Sequence, residues 1–221
     1  MASRAKLITI AQQKGGAGKT TLAAHIAVAL MQKGNKVAVI DIDPQGSLTK
    51  WHEIRSENFG EGFTGISFKN TSGWRINSEI SDLKNDFDFI IVDSPPHMEI
   101  DAKSAIRASH LLLIPMQPSP TDLWATQATI DLATNEGIKY FLILNRVSPN
   151  SKLASDILKK LDNPPLNAHI GNRVAFASCM MEGKCVTETS PSTVASQEIK
   201  ALANEIEKLF KADKKQQKNA A

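Results

Sequence analysis

Lys14-Gly15-Gly16-Ala17-Gly18-Lys19-Thr20-Thr21 lies between a short apolar run, Lys6 to Ala11, and a stretch in which Leu22, Ile26 and Leu30 recur at helical spacing. That setting of strand, glycine-rich turn and helix decides the fold. Glycines let the backbone turn tightly enough to aim N–H groups at an anion, and the helix behind them presents its positive end to the same point. The stretch reads as a phosphate-binding loop. Gly15, Gly16, Ala17, Gly18 and Thr21 supply the cradle, Lys19 contacts the β- and γ-phosphates, and the Thr20 hydroxyl holds Mg²⁺. The common spacing of such loops, G-x-x-x-x-G-K-S/T, asks for glycine where this chain has Gln13. A second lysine, Lys14, stands where the common pattern carries no fixed charge.

Outward from the loop, apolar runs of strand length alternate with helix-length amphipathic stretches. Val37 to Ile40, Ile66 to Phe68, Phe89 to Val92, Leu111 to Ile114 and Phe141 to Leu144 are further strands, and residues 19–33 and Thr121 to Thr134 are helices. Continuous apolar runs suit strands covered on both faces. The expected fold is therefore α/β, a doubly wound, mostly parallel sheet with helices on both faces. Residues 1–211 read as one domain and 212–221 as a basic, disordered tail.

In open sheets of this kind ligands sit beyond the carboxyl ends of the strands. The second strand runs into Asp41-Ile42-Asp43-Pro44-Gln45, where carboxylates two residues apart point the same way. One of them can organise a hydrated Mg²⁺, and the other can orient the water that attacks a γ-phosphate. Another strand ends in Asp93-Ser94-Pro95-Pro96, a carboxylate placed to join the Mg²⁺ shell. His97 reads as an exposed loop histidine, since phosphoryl transfer depends on positioning and charge more than on proton abstraction. Asn145 follows the last strand, and its amide offers the donor and acceptor that an adenine edge requires.

Composition narrows the class. The 221 residues are 42% hydrophobic and 22% charged, with a net charge of +3, as in an ordinary globular protein. No run is long enough to span a bilayer, and Met1 to Lys6 carries no cleavable signal, so a cytoplasmic location is expected. Cys179 and Cys185 have neither metal-site spacing nor the number a disulfide framework needs. Positive charge collects at the end of the chain, in Lys208, Lys211, Lys214, Lys215 and Lys218, opposed after Glu207 only by Asp213. These lysines and Lys200 are candidates for phosphate-backbone contacts. Trp51, Trp74 and Trp124 are expected to pack on core or interface surface.

The run from Lys14 to Thr20 resembles the deviant Walker A box, K-G-G-x-G-K-S/T, of the ParA and MinD superfamily of P-loop ATPases. The likeness extends from Ala5 to about Lys211 through the D-x-D-P-Q segment at Asp41, the Asp-Ser-Pro-Pro switch at Asp93 and the N-R segment at Asn145. It implies ATP and Mg²⁺ as ligands, with Thr20, Asp41 and Asp93 around the metal and Asn145 against adenine. It also implies catalytic roles for Lys14, Lys19 and Asp43: Lys14 reaches the nucleotide of a partner subunit, and Asp43 serves hydrolysis. The corresponding function is an ATP-dependent homodimer that binds non-specific DNA and becomes nucleoid-associated. It positions a plasmid, chromosome region or protein cluster, and a ParB-like or other cargo adaptor stimulates its slow ATPase. Few residues precede Lys14, so no helix-turn-helix for operator binding is expected. No stable membrane anchor is expected either, because Ile199, Leu202, Ile206, Leu209 and Phe210 form a stripe that suits packing on the body, and Lys211 to Ala221 has no bulky apolar residue. A MinD-like membrane-positioning ATPase and a metabolic ATP-dependent ligase are the competing classes.

Overall fold

The computed structural model describes residues 5–96, 100–149 and 152–219, with side chains as far as residue 212. Six strands carry the architecture: β1 (Lys6–Ile10), β2 (Val37–Asp41), β3 (Ser67–Asn70), β4 (Phe89–Asp93), β5 (Leu111–Met116) and β6 (Tyr140–Leu144). They form one sheet in the order β3-β2-β4-β1-β5-β6, and every pairing between neighbours is parallel. Between them run α1 (Lys19–Gln32), α2 (Ser47–Phe59), α3 (Ile76–Leu83), α4 (Ile100–Ala108) and α5 (Pro120–Asn135). After β6 come α6 (Lys152–Leu158), two single-turn helices, α7 (Ala175–Ser178) and α8 (Val186–Thr189), and α9 (Val194–Asn219).

Apart from the edge strand β3, Ser-Phe-Lys-Asn, the strands read as apolar runs because each alternates its side chains between two cores. Ile8, Ile10, Val37, Val39, Phe89, Ile91, Leu111 and Leu113 face the layer that holds α1, α2 and α9. Leu7, Ala38, Ile40, Ile90 and Val92 face α3 and α4, whereas Leu112, Ile114, Met116, Leu142 and Leu144 join Ile157 of α6 and Ala133 of α5. Each fully buried aliphatic chain is worth about 1.5–3 kcal/mol of transfer free energy. The doubly wound expectation is thus met. Leu22, Ile26 and Leu30 are buried as their spacing requires, and so are Ile199, Leu202 and Ile206 of α9, with Leu209 and Phe210 partly covered.

The chain end differs from its reading. The stretch 212–219, expected as part of a disordered tail, continues α9 as backbone helix to Asn219. Lysine, glutamine and alanine are all good helix formers, and they extend a helix already nucleated on the core. Of the tryptophans, Trp51 packs in the core, while Trp74 and Trp124 stand 74% and 70% exposed. Both cysteines are free and buried. His97 lies outside the described residues.

The sheet order creates the site. Chain connections leave β1 toward β2 on one side and return to β5 on the other, so a crevice opens beyond the carboxyl end of β1. Residues 11–18 occupy that crevice.

Candidate functional site

Beyond β1, Gly16 and Gly18 take left-handed backbone with φ of 76° and 93°, and Gly18 caps α1 without any side-chain bond. The first-turn N–H groups of α1 therefore remain available to a bound anion. Lys19 opens the helix and turns inward, 6% exposed, with Nζ donating to the Gln12 carbonyl at 3.2 Å. Burial lowers its pKa, and the charges of Asp93 and Asp43 act against that lowering.

Parallel register lines up three strand ends, because Asp93 of β4 pairs with Ile10 of β1 on one side and Asp41 of β2 on the other. The two aspartates differ in what they already hold. Asp41 accepts the Asp43 N–H at 3.0 Å through Oδ1, and the Thr49 N–H and hydroxyl at 2.9 and 2.7 Å through Oδ2. It ties the loop after β2 to the first turn of α2. Asp93 is fully buried, and among the described residues neither of its carboxylate oxygens has a hydrogen-bond partner. Burial pushes its carboxyl up to about 8, with the nearby Thr20 hydroxyl pulling the other way and the Asp41 charge adding to the rise. A buried ionised carboxylate without partners costs several kcal/mol, roughly. A divalent cation beside Thr20 would satisfy it, so the donor set fits Mg²⁺, an oxygen-seeking ion that keeps several waters. Asp43, half-buried, accepts the Gln45 N–H at 2.9 Å and contributes charge to the same cluster.

Lys14 stands apart from this cluster. Its ammonium pairs with Asp122 and donates to the Thr121 hydroxyl at 3.1 Å, both in the first turn of α5. Asp122 is almost wholly buried. Burial alone would raise its carboxyl, but hydrogen bonds from Lys14, Ser119 and the Gln117 N–H hold it below the usual range. The sequence pattern Ser119-Pro120-Thr121-Asp122 marks a helix start. Nothing in it identifies Asp122 as the partner of a lysine 108 residues away.

A cleft of about 250 Å³ opens beside the loop, lined by Gly18, Thr21, His25, Asn145, Arg146 and the segment Ile170–Ala177. The wall at 171–173 is clasped to α9, with Glu198 accepting the Gly171 N–H at 3.1 Å and pairing with Arg173 at 2.8 Å. Arg173 is thus a wall-builder. His25, on the cleft floor, is fully buried. Its Nδ1 lies 2.7 Å from the Thr21 carbonyl and its Nε2 is 3.5 Å from the Cys179 sulfur, and burial lowers its pKa to about 4. Asn145 lines the same cleft, but its amide Nδ2 donates to the Ala17 carbonyl at 2.7 Å. The structure thus brings Lys19, Thr20, Asp41, Asp43 and Asp93 to one side of the loop and Asn145 to the other, with Lys14 turned toward α5.

Comparison with known proteins agrees with the fold. The family model described as the CobQ/CobB/MinD/ParA nucleotide binding domain matches residues 8–186. The maintenance of carboxysome distribution protein A of Halothiobacillus neapolitanus is 28% identical over 214 residues, which span 92% of this chain and 97% of that protein. The cell division ATPase MinD of Pyrococcus furiosus superposes with a TM-score of 0.77 at 26% identity, covering 92% of this chain and 99% of the other. The septum site-determining protein MinD of Pyrococcus horikoshii, solved with Mg-ADP, gives a TM-score of 0.79 at 24% identity over 93% of this chain and 97% of its own, a likeness of fold.

Proposed function

The chain belongs to the CobQ/CobB/MinD/ParA nucleotide-binding family, and from that premise we propose that it is an Mg²⁺-dependent ATPase whose ATP-bound form dimerises, binds DNA without sequence preference and positions a cargo. The observation that carries the reading is the convergence of buried Lys19 and Asp93, unpartnered among the described residues, beside a glycine loop that offers helix N–H groups. A triphosphate would lie along the loop with its β- and γ-oxygens against Lys19. Thr20 and Asp93 would hold Mg²⁺, with Asp41 beside them in the hydrated shell. Bound there, the ion neutralises charge that builds on the phosphate oxygens. Asp43, at the mouth of the same cluster, would orient the attacking water. The nucleobase would enter the cleft between Asn145 and the wall at 171–174.

Lys14 supports the switch. In the single chain it sits on Asp122, so exchanging that carboxylate for a partner's phosphate would couple dimer formation to ATP. The exposed Lys208 and Lys211 of α9, with the lysines that follow them, suit a phosphate backbone. The carboxysome-distribution relative, matched over nearly its whole length, favours a protein cluster over a plasmid or chromosome region as cargo. A ParB-like or other adaptor would recognise the dimer and stimulate hydrolysis. Among the described residues no helix is long and apolar enough to cross a membrane.

Co-sedimentation with long non-specific duplex DNA tests this reading. Binding with ATP and Mg²⁺ but not with ADP, weakening steeply as salt rises, is the expected result. Equal or absent binding in both nucleotide states would remove the DNA-carrier function, and ATP-dependent binding to anionic vesicles would replace it with a membrane-positioning one.

A further inference from the structure

The side chain of Asn145 is engaged with the protein itself on both ends. Nδ2 donates to the Ala17 carbonyl at 2.7 Å, Oδ1 accepts the Arg146 N–H at 2.9 Å, and the residue is 5% exposed. Its own N–H is fixed to the Met116 carbonyl at 2.8 Å, so the amide projects from the paired ends of β5 and β6. Arg146, next to it, is held at φ 53°, the only positive φ of a non-glycine among the described residues. From the end of β5, Gln117 makes the neighbouring contact, donating Nε2 to the Gly16 carbonyl at 3.2 Å.

We propose that Asn145 is a positioning residue of the phosphate loop, a strut that sets the loop's anion-binding geometry whatever base fills the cleft. In a trans peptide the carbonyl and the next N–H point in opposite directions. Pinning the Ala17 carbonyl toward β6 therefore aims the Gly18 N–H away from it, and Gln117 does the same for the Ala17 N–H. Two successive loop amides are turned toward the anion by two side-chain amides at their backs. Gly18 belongs to the same device. A Cβ there would lie 2.3 Å from Asn145 Nδ2, so the position must be glycine for contact as well as for its φ of 93°.

The inference rests on the nucleotide-binding reading for its ligand arm alone. The experiment uses the full chain and two variants: Asn145→Ala, which removes the donor without adding charge, and Asn145→Asp, which keeps shape and the Oδ1 acceptor. Calorimetry measures affinity for ATP, GTP and inorganic tripolyphosphate, each with Mg²⁺. Hydrogen exchange measures protection of amides 15–21 without ligand. A strut predicts that in Asn145→Ala all three ligands weaken by a similar factor, about tenfold, and that loop exchange accelerates in both variants. Weakened ATP, a lost preference over GTP, unchanged tripolyphosphate and unchanged loop exchange would overturn the proposal and make Asn145 a reader of the base. A wild-type chain that binds none of the three ligands, yet shows faster loop exchange in the variants, would overturn the nucleotide reading and leave the strut standing.

Discussion

Lys14 and Lys19 leave the same glycine loop and end in opposite circumstances. Lys14 lies at the surface side of the loop, a third exposed, and holds a carboxylate of its own chain. Lys19 is buried, bonded to a backbone carbonyl, and senses Asp93 and Asp43 through their fields. A lysine paired from the solvent side can be reassigned by exchanging one anion for another, because the Ser119 hydroxyl and the Gln117 N–H still hold the buried Asp122 carboxylate when the ammonium leaves. A desolvated lysine beside a partnerless carboxylate is set for a charged ligand that replaces lost solvation. The difference separates a group suited to switching from one suited to binding.

Removing Lys19 should break the comparison most severely. Lys19→Ala is expected to weaken ATP by about 100-fold or more, as for truncating one member of a buried charge cluster; calorimetric affinity within a few-fold of wild type would contradict it. Asp43→Ala should leave ATP binding in place while slowing turnover by about 100-fold and accumulating an ATP dimer. A phosphate-release assay and sizing chromatography check both halves, and undiminished turnover would count against the role.

The Lys14 side should respond through assembly instead. Lys14→Ala is expected to keep nucleotide affinity within about threefold and lose the ATP dimer. Asp122→Asn, which releases the lysine, should strengthen the dimer by up to about fivefold, the scale of a partly exposed ion pair. An ATP dimer formed by Lys14→Ala, or a weaker one formed by Asp122→Asn, would sink the switching assignment.

The mildest effect concerns the cleft floor. His25 titrates near 4 when folded against an ordinary value of 6.5, so the unfolded chain binds the extra proton between those values. Its contribution to stability is complete above pH 6.5 and is lost as pH falls toward 4. Melting temperatures across that window should drop less steeply in His25→Asn than in the wild type, and parallel curves would deny His25 this part.

Much of the framework was legible in the chain. Phe89-Ile90-Ile91-Val92 and Leu111-Leu112-Leu113-Ile114 could only be strands covered on both faces, and a loop of glycines between strand and helix has few other uses. The stretch from Val147 to Thr193 was not legible. Its helices are one or two turns long, and contacts rather than periodicity hold them. Arg55, for instance, reaches across from α2 to pair with Glu188 and the Gly183 carbonyl. Strand positions also concealed a distinction of chemistry, since Asp41 and Asp93 look alike in sequence and only one of them already has donors on both oxygens.

Residue type and spacing by themselves determined the sheet, the loop and the set of carboxylates near it, because hydrophobic period and glycine geometry are local properties of the chain. Which of those groups share a partner was decided only in three dimensions. The pairing of Lys14 with Asp122, the clasp of Glu198 on the cleft wall and the contact of Asn145 with the Ala17 carbonyl each join residues far apart in sequence. Parallel crossovers set such neighbours side by side, and hydrogen-bond geometry then selects among them.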